Sequence, residues 1–461
     1  MAEFADPFED LEAVHAGHLD VEQHRVDLFL FEDRQGFGSA GRREYAIGFV
    51  CEDLIEGGSD RSLVVDHQDG MQESASGLQL DMGRRSWDGS RQGCTASRTH
   101  VKVIRFRRNM STELRPLLRD LTPDQLPGVI GELGQPAYRA KQLAEWMYTH
   151  HAMDWDGMTN LPGAMLTRLS ETYDPCGLVL SERQCSQDGT RKYLFELRDG
   201  QSIESVMIPM EQHATFCVSS QVGCAMACSF CATARGGLKR QLTRGEILEQ
   251  VQRLALDLKD DPVEDLGDRA FNVVFMGMGE PLDNVDEVAA SLHAMTHADG
   301  LGMSPRRITI STSGHAEGLS RFLDLRLPVG LTVSVNTTDP EKRRRLMPVP
   351  GRTPLAESLK LAEIHAHRVH RLVTVAYVLI DGWNDSPEEA GALAALVTRR
   401  PFKVNLIPMN RIDDRFGPPP ADRLLAFQQV LADHGVRATI RISGGDDIDA
   451  ACGQLRRRRS S

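Results

Sequence analysis

Three cysteines lie close together in the segment QVGCAMACSFCATARGG at residues 221–237. Cys224, Cys228 and Cys231 have the spacing CxxxCxxC, and no fourth Cys or His follows nearby. Nine cysteines in a chain of 461 residues are too few for a disulfide scaffold. Clustered thiols in such a chain indicate a metal or redox centre.

Two kinds of metal centre compete for this motif. A structural zinc ion takes four protein ligands, commonly arranged as two separated pairs. A four-iron, four-sulfide (4Fe-4S) cluster held by only three thiolates leaves one iron open to an outside ligand. The missing fourth ligand therefore favours the iron–sulfur cluster, and zinc stays as the alternative.

The spacing CxxxCxxC, with the aromatic residue Phe230 just before the last cysteine, resembles the pattern of radical S-adenosylmethionine (SAM) enzymes. This resemblance implies that the open iron is chelated by the amino and carboxylate groups of SAM. It also implies one cluster per chain, with Cys224, Cys228 and Cys231 as its ligands.

Other candidate SAM-binding residues follow predicted strands. The segment MGMGEP at 276–281 places glycines and a carboxylate after a strand, so that the backbone at Gly279 can approach a ligand while Glu280 accepts from its amino group. Each such residue would otherwise serve as a turn or helix-cap residue. The further candidates at strand ends are Ser311, Ser334, Val335, Asn336 and Asn405.

Alternating strands and helices are predicted to position these residues. Amphipathic segments of helix length separate the strand-like runs, which predicts a parallel α/β sheet. Six such units predict a partial TIM-like (β/α)6 barrel, in which the loops at the carboxyl ends of the strands assemble the site. The predicted strands are 271–276, 307–311, 331–335, 373–380, 402–407 and 437–442.

The rest of the chain divides by its patterning. Apolar residues at helical spacing, with Thr122 as a helix cap and Pro123 after it, predict a small helical domain at 110–176. Alternating runs at 177–212 predict short strands that lead into a core domain at 213–455, and 456–461 form a basic tail. Residues 1–109 show no sustained period, so we expect a weakly structured, disordered extension. If translation starts near Met110 rather than at Met1, a start site assigned too far upstream would explain why the regular sequence pattern begins there.

Two further cysteines indicate which family of radical SAM enzymes the sequence resembles. Cys217 lies in TFCVSSQVGC, and Cys452 lies in GDDIDAACGQL near the C-terminus. Together with AYRAKQLAEWMYTHHAMDWDGMTNLP, SIESVMIPM, MGMGEPLDN, RRITISTSG and KVNLIPMN, these segments closely resemble the RlmN family of ribosomal and transfer RNA adenine-C2 methyltransferases. The resemblance extends over residues 110–455.

The resemblance implies a radical mechanism. Carbon 2 of adenine lies between two ring nitrogens and is electrophilic, so it cannot attack the methyl group of SAM directly. In the family, the thiolate at the position of Cys452 takes a methyl group from one SAM, and a second SAM yields a 5′-deoxyadenosyl radical. The resulting carbon radical adds to carbon 2, and Cys217 releases the product by forming a disulfide with Cys452. Glu204, in SIESVMIPM, matches the family's proton acceptor.

Simpler interpretations of these residues stay open. Glu204 would otherwise be a charged residue on the solvent face of a strand, and the two outlying cysteines would be small buried hydrophobes. Asn336 stands where the family often has a histidine, and Gly444 where it commonly has an arginine. The alternative functions are a related adenine-C8 rRNA methyltransferase of the antibiotic-resistance group and a zinc-stabilised RNA-binding protein.

The resemblance also implies partners. These are adenine 2503 of 23S rRNA, adenine 37 of tRNAs, and an electron donor such as flavodoxin or ferredoxin. The net charge of −12 argues against nucleic acid at first sight, but basic runs occur at 342–345 and 456–459. The run at 342–345 is either an RNA contact or a solvated charge run. The sequence has neither a basic leader nor an apolar run of about 18 residues, so we expect a cytoplasmic monomer that binds no membrane.

Overall fold

The computed structural model describes residues 114–263, 271–350 and 353–455, together with the backbone of five strands in the N-terminal segment. The chain divides into two compact units, Met1–Glu113 and Leu114–Ser461. The first contains an antiparallel sheet of β1 (Leu11–Val21), β2 (His24–Asp33), β3 (Glu44–Cys51), β4 (Leu63–Val64) and β5 (Ile104–Arg107).

Two sequence predictions fall largely beyond these residues. Most of the extension at 1–109, expected to be weakly structured, and the whole basic tail at 456–461 lie outside the described part of the chain. Both stay predictions.

A small helical domain begins the second unit, as expected for 110–176. Its α-helices are α1 (Leu126–Glu132), α2 (Tyr138–Ala144) and α3 (Gly163–Thr172), and a π-helical turn at Glu145–Thr149 continues α2. Thr122 precedes a 3-10 turn whose first residue is Pro123, as predicted. Leu143 and Met147, four residues apart, are both fully buried, which explains the helical spacing of apolar residues.

Three antiparallel strands follow the helical domain. They are β6 (Leu178–Cys185), β7 (Arg191–Leu197) and β8 (Ser202–Pro209), which match the short strands predicted at 177–212. The last of them pairs antiparallel with β9 (Ala214–Cys217), the first strand of the parallel region. The hairpins therefore extend the core sheet rather than forming a separate layer.

The core is a partial barrel, as expected. The short strands β10 (Gln221–Val222) and β11 (Arg240–Gln241) pair with each other in a separate sheet. Seven parallel strands pair in the order β9, β12, β13, β14, β15, β16 and β17, and six of them match the predicted strands. The sheet runs from β17 at one edge to β6 at the other. The strands after β9 are β12 (Asn272–Phe275), β13 (Ile308–Thr312), β14 (Gly330–Ser334), β15 (Val373–Leu379), β16 (Phe402–Pro408) and β17 (Ala438–Ile440).

Helices connect these strands. Thr243 caps the longest of them by accepting a hydrogen bond from the backbone N–H of Glu246. Among the described residues, no helix is long and apolar enough to span a bilayer. The helices are α4 (Ala232–Arg235), α5 (Arg244–Asp260), α6 (Val285–Thr296), α7 (Ala316–Asp324), α8 (Pro340–Leu346), α9 (Leu355–Val369), α10 (Pro387–Val397) and α11 (Ala421–Asp433).

Candidate active site

The three-cysteine loop lies between the short strand β10 (Gln221–Val222) and α4. It turns at Gly223, where φ is +80° and an added Cβ would lie 1.9 Å from the carbonyl oxygen of Gly237. The N–H of Cys224 donates to that same carbonyl over 3.2 Å, which closes the loop. A glycine is required at 223 because both the backbone conformation and the close approach exclude a side chain.

All three cysteines of this loop line one cavity. A single tetrahedral zinc ion, with Zn–S bonds of about 2.3 Å, would bring its sulfur ligands to about 3.8 Å from one another. In the described part of the chain, the sulfur atoms of Cys224, Cys228 and Cys231 do not all lie within 4.8 Å of one another. The wider separation fits a cluster in which each thiolate binds a different iron.

Burial shifts the ionisation of two of these thiols. It raises the pKa of Cys224 to about 12, and it raises the pKa of Cys228 well above its usual value. Both thiols are therefore protonated at neutral pH in the metal-free protein. Because a metal ligand must be a thiolate, iron binding would release these protons.

The cavity beside the cysteine loop, here called the larger cavity, is open to solvent and spans about 1180 Å³ with the solvent at its open side included. It lies at the carboxyl ends of the parallel strands, as the barrel interpretation requires. The structure brings most of the predicted SAM-binding residues together with the three cysteines there. Those that line it are Gly279, Glu280, Ser311, Ser334 and Asn405.

Glu280 is held in place by backbone donors. One carboxylate oxygen accepts from the N–H of Ser313 over 2.7 Å, and the other accepts from the N–H of Leu282 over 3.1 Å. Burial raises the pKa of this carboxyl group above its usual value. A buried carboxylate facing the larger cavity can accept further hydrogen bonds from a ligand amino group.

Val335 and Asn336 lie behind the wall of the larger cavity and are absent from its lining residues. The Asn336 side chain accepts from the N–H of Val378 over 2.8 Å, and its carbonyl accepts from the side chain of Asn384 over 2.6 Å. Its φ of +62° turns the chain away from β14. A direct contact of either residue with SAM stays a prediction.

Arg343 supports the same wall from beneath, a role that the sequence did not reveal. Its side chain is 2% exposed and donates to the carbonyl groups of Val335 and Ser313 over 2.5 and 3.1 Å. It belongs to the basic run at 342–345, which forms part of α8. Arg343 is therefore not part of a solvated charge run, whereas the exposed Arg344 pairs with Glu341.

A second, smaller cavity, about 600 Å³ with the solvent at its open side included, is lined by both outlying cysteines. Cys217 ends β9, and Cys452 also lines the larger cavity, so that one thiol is accessible from both spaces. Burial, and then the neighbouring Cys452, raise the pKa of Cys217 to about 12, while Arg441 acts in the opposite direction. The expected pair of thiols is therefore brought together at one site.

The loop that carries Cys452 is fastened to two parts of the core. The side chain of Asn410, just after β16, donates to the carbonyl of Cys452 over 3.0 Å. Thr233, in the helix after the cysteine loop, donates through its hydroxyl to the carbonyl of Leu455 over 2.6 Å. The role of Asn410 was missed, although the segment NLIPMN had marked this strand end as notable.

Glu204 is only 3% exposed, so the alternative of a solvent-facing side chain is wrong. It lies on β8 two residues before Val206, the residue paired with Cys217 on β9. Side chains two residues apart on a strand share one face, so Glu204 and Cys217 lie on the same face of the sheet. The ammonium group of Lys192 lies 3.8 Å from its carboxylate.

Comparison with known proteins identifies the family of this chain. Residues 218–394 match the Radical SAM superfamily, and residues 117–174 match the Ribosomal RNA large subunit methyltransferase N-terminal domain. The chain is 41% identical to a probable dual-specificity RNA methyltransferase RlmN of Symbiobacterium thermophilum, over 75% of this chain and 92% of that protein. It is 40% identical to the dual-specificity RNA methyltransferase RlmN of Campylobacter hominis, over 74% of this chain and 96% of that protein.

A solved structure gives the same picture. The crystal structure of a radical SAM methyltransferase from Sphaerobacter thermophilus is 38% identical and superposes with a TM-score of 0.71, over 74% of this chain and 99% of that one. This chain therefore belongs to the RlmN family of radical SAM RNA methyltransferases.

Proposed function

We propose that this enzyme methylates carbon 2 of adenine in RNA, at adenine 2503 of 23S rRNA and adenine 37 of tRNAs. One observation carries the proposal. Cys452 lines both the larger cavity, with the three clustered cysteines, and the smaller cavity, with Cys217. A thiol in this position can receive a methyl group on one side and meet a second thiol on the other.

Membership of the radical SAM superfamily implies a 4Fe-4S cluster and SAM. We assign the cluster to Cys224, Cys228 and Cys231, and the SAM amino group to Glu280. When bound there, the cluster supplies the electron that cleaves SAM to methionine and a 5′-deoxyadenosyl radical, which removes a hydrogen atom from an S-methyl group. The strand-end residues Ser311 and Ser334 contribute hydroxyl groups to the same cavity.

Cys452 acts as the methyl carrier. Its thiolate attacks the methyl group of a first SAM, and S-adenosylhomocysteine leaves. After loss of one hydrogen atom from this S-methyl group, the carbon radical adds to carbon 2 of the adenine. The protein and the RNA are then joined through a CH2–S bond, and two SAM molecules have been used per turnover.

Cys217 releases the product. As its sulfur bonds to the sulfur of Cys452, the CH2–S bond breaks and the methylene carbon takes a proton to become the methyl group. Before this release, the radical adduct loses the hydrogen on carbon 2 as a proton and also loses one electron. That electron balances the one consumed when SAM was cleaved. Glu204 accepts this proton. An external donor such as flavodoxin or ferredoxin supplies the electron that the cluster passes to SAM, and the Cys217–Cys452 disulfide must gain two electrons and two protons before the next turnover.

The target adenine must be unstacked before its carbon 2 can reach the thiols. An adenine in an RNA loop, or one flipped from its stack, meets this requirement. The smaller cavity is lined in part by Met210 and Ile442, apolar side chains that are 45% and 84% exposed. A nucleobase that enters this cavity would contact these exposed apolar groups as well as Cys217.

Replacing Cys217 by Ala tests the proposal. We expect the reduced, cluster-containing variant to accumulate protein covalently attached to an RNA fragment, because addition to carbon 2 proceeds and release does not. Denaturing gel electrophoresis and mass spectrometry of the Cys452 peptide would detect the adduct. The matched control is Cys185→Ala, which removes an exposed thiol on β6 and should give no adduct. If Cys217→Ala releases methylated RNA, the resolving role of Cys217 is wrong.

Mass spectrometry of the RNA product distinguishes carbon 2 from carbon 8. Methylation at carbon 8 would assign the enzyme to the related resistance group, which uses the same cysteines. A colourless protein that holds one zinc ion and does not cleave SAM would favour a zinc-stabilised RNA-binding protein. The proposed enzyme is instead brown after anaerobic reconstitution, with broad absorption near about 400 nm.

A further inference from the structure

We propose that Lys192 is a positioning residue for the release step, because it connects the proton acceptor Glu204 to the loop that carries Cys452. The inference rests on the proposed function, since it assigns Lys192 a part in the same reaction. Neither the cysteine motifs nor the strand-end pattern of the sequence marks this residue.

The register of three neighbouring strands places Lys192 on the reactive side of the sheet. Lys192 on β7 is paired with Val206 on β8, and Val206 is paired with Cys217 on β9. Residues paired across strands project to the same face, so the lysine, Glu204 and Cys217 share that face. The Lys192 side chain is 11% exposed and that of Glu204 is 3% exposed.

The lysine ammonium group contacts both partners. It lies 3.8 Å from the Glu204 carboxylate, and it donates a hydrogen bond to the carbonyl of Ile448. Ile448 ends a 3-10 turn, Asp446–Ile448, four residues before Cys452. One charged group therefore sets the carboxylate and the cysteine-bearing loop relative to each other.

Neighbouring contacts show that this loop docks on the β6–β7 connection. The hydroxyl of Ser186 donates to Asp447 over 2.5 Å, and the N–H of Gly445 donates to Asp188 over 2.9 Å. Those contacts fasten the loop but leave Glu204 untouched. Lys192 differs from them because it also carries the positive charge that faces the buried carboxylate.

That charge matters for proton transfer. A nearby cation favours the ionised form of a buried carboxylate, which is the form that can accept a proton from carbon 2. Removing the Lys192 ammonium group therefore takes a positive charge from beside the Glu204 carboxylate, and the hydrogen bond to Ile448 that orients the loop is lost with it. Proton loss from the RNA adduct should then slow, while methylation of Cys452 at the larger cavity continues.

The test uses the full-length, reduced and cluster-containing enzyme with SAM and a tRNA substrate. Lys192→Gln keeps a hydrogen-bond donor but removes the charge, Lys192→Met removes both, and Lys192→Arg restores the charge. Lys360→Met makes the same change as Lys192→Met at an exposed site on α9. The readouts are the amount of covalent protein–RNA adduct and the fraction of methylated Cys452, measured beside Cys217→Ala as the reference.

We expect Lys192→Gln and Lys192→Met to accumulate roughly tenfold more adduct than the unaltered enzyme, since a general base contributes about a hundredfold or more to proton transfer. Methylated Cys452 should persist in both variants, which shows that they fold, and Lys192→Arg and Lys360→Met should show no excess adduct. If Cys217→Ala traps adduct but the Gln and Met variants do not, the role of Lys192 is wrong and the proposed function stands. If Cys217→Ala traps none, the proposed function fails, and this inference fails with it.

Discussion

The backbone N–H of Ala232 donates a hydrogen bond to the carbonyl oxygen of Gly453 over 2.7 Å. Ala232 directly follows Cys231, and Gly453 directly follows Cys452. The bond therefore connects the end of the three-cysteine loop to the loop of Cys452, the proposed methyl carrier. A chain segment from the C-terminus thus completes a site that begins with β9.

The turn before the cysteine loop gives a first prediction. Gly223→Ala should lower the iron content of the reconstituted protein, because its Cβ would collide with the Gly237 carbonyl that accepts from Cys224. Gly237→Ala is the matched control, since Gly237 also has a positive φ, of +60°, but no atom lies within 4 Å of its added Cβ. That control should cost about 1 kcal/mol of stability and keep its iron. Equal iron content in the two variants would contradict the prediction.

Glu280 gives a second prediction. In Glu280→Gln, the amide NH2 would face one of the two backbone N–H donors that now hold the carboxylate. We expect SAM to bind roughly tenfold more weakly, a loss of about 1.4 kcal/mol. Equilibrium binding of SAM to the reconstituted protein measures this effect. Glu317→Gln, at an exposed position on α7, should bind SAM normally. Unchanged affinity in Glu280→Gln would exclude the assigned contact.

Arg343 and Arg344 form a matched pair for a third prediction. Arg343→Met should lower the free energy of unfolding by about 3 kcal/mol, because it leaves buried carbonyl groups without their donor. Arg344→Met removes an exposed ion pair with Glu341 and should change stability by less than about 0.5 kcal/mol. Urea unfolding of the two variants measures both values. Similar stability in the two would show that the Arg343 contacts contribute little.

The raised pKa of Cys217 gives a fourth prediction. With a pKa of about 12, only about one thiol in ten thousand is ionised at pH 8. Iodoacetamide should therefore label Cys217 far more slowly than the exposed Cys185 in reduced, metal-free protein. Labelling should accelerate as the pH rises from 8 toward 10, because the thiolate fraction grows tenfold with each unit. Peptide mass spectrometry measures both rates, and equal labelling at pH 8 would refute the burial argument.

The sequence predicted those parts of the site that depend on local spacing. The cysteine loop, Gly279 and Glu280 are short segments at the ends of single strands, and parallel topology brings such ends together. Ser311, Ser334 and Asn405 line the larger cavity for the same reason. The partial barrel was predictable because near-continuous apolar strands alternate with amphipathic helices.

Contacts between distant segments were not predictable in this way. Asn336 faces Asn384 and the backbone of Val378 because its left-handed conformation reverses the chain after β14, and residue order alone does not reveal that conformation. The contact of Lys192 with Ile448 depends on how a hairpin docks on the C-terminal loop. Such docking is decided by tertiary packing, and no local pattern records it.

The two outlying thiols lie in different structural settings, Cys217 on a strand and Cys452 in a loop. Cys217 lies on a strand bonded to neighbours on both sides, β8 and β12, so its sulfur has a fixed place. Cys452 lies in a loop after a 3-10 turn and is held by a few bonds, such as the one from Asn410. In the proposed release step the two sulfurs bond, and any adjustment that this needs must come from the loop of Cys452 rather than from the strand of Cys217. The proposed release step therefore assigns conformational freedom to this loop and a fixed position to the strand that carries Cys217.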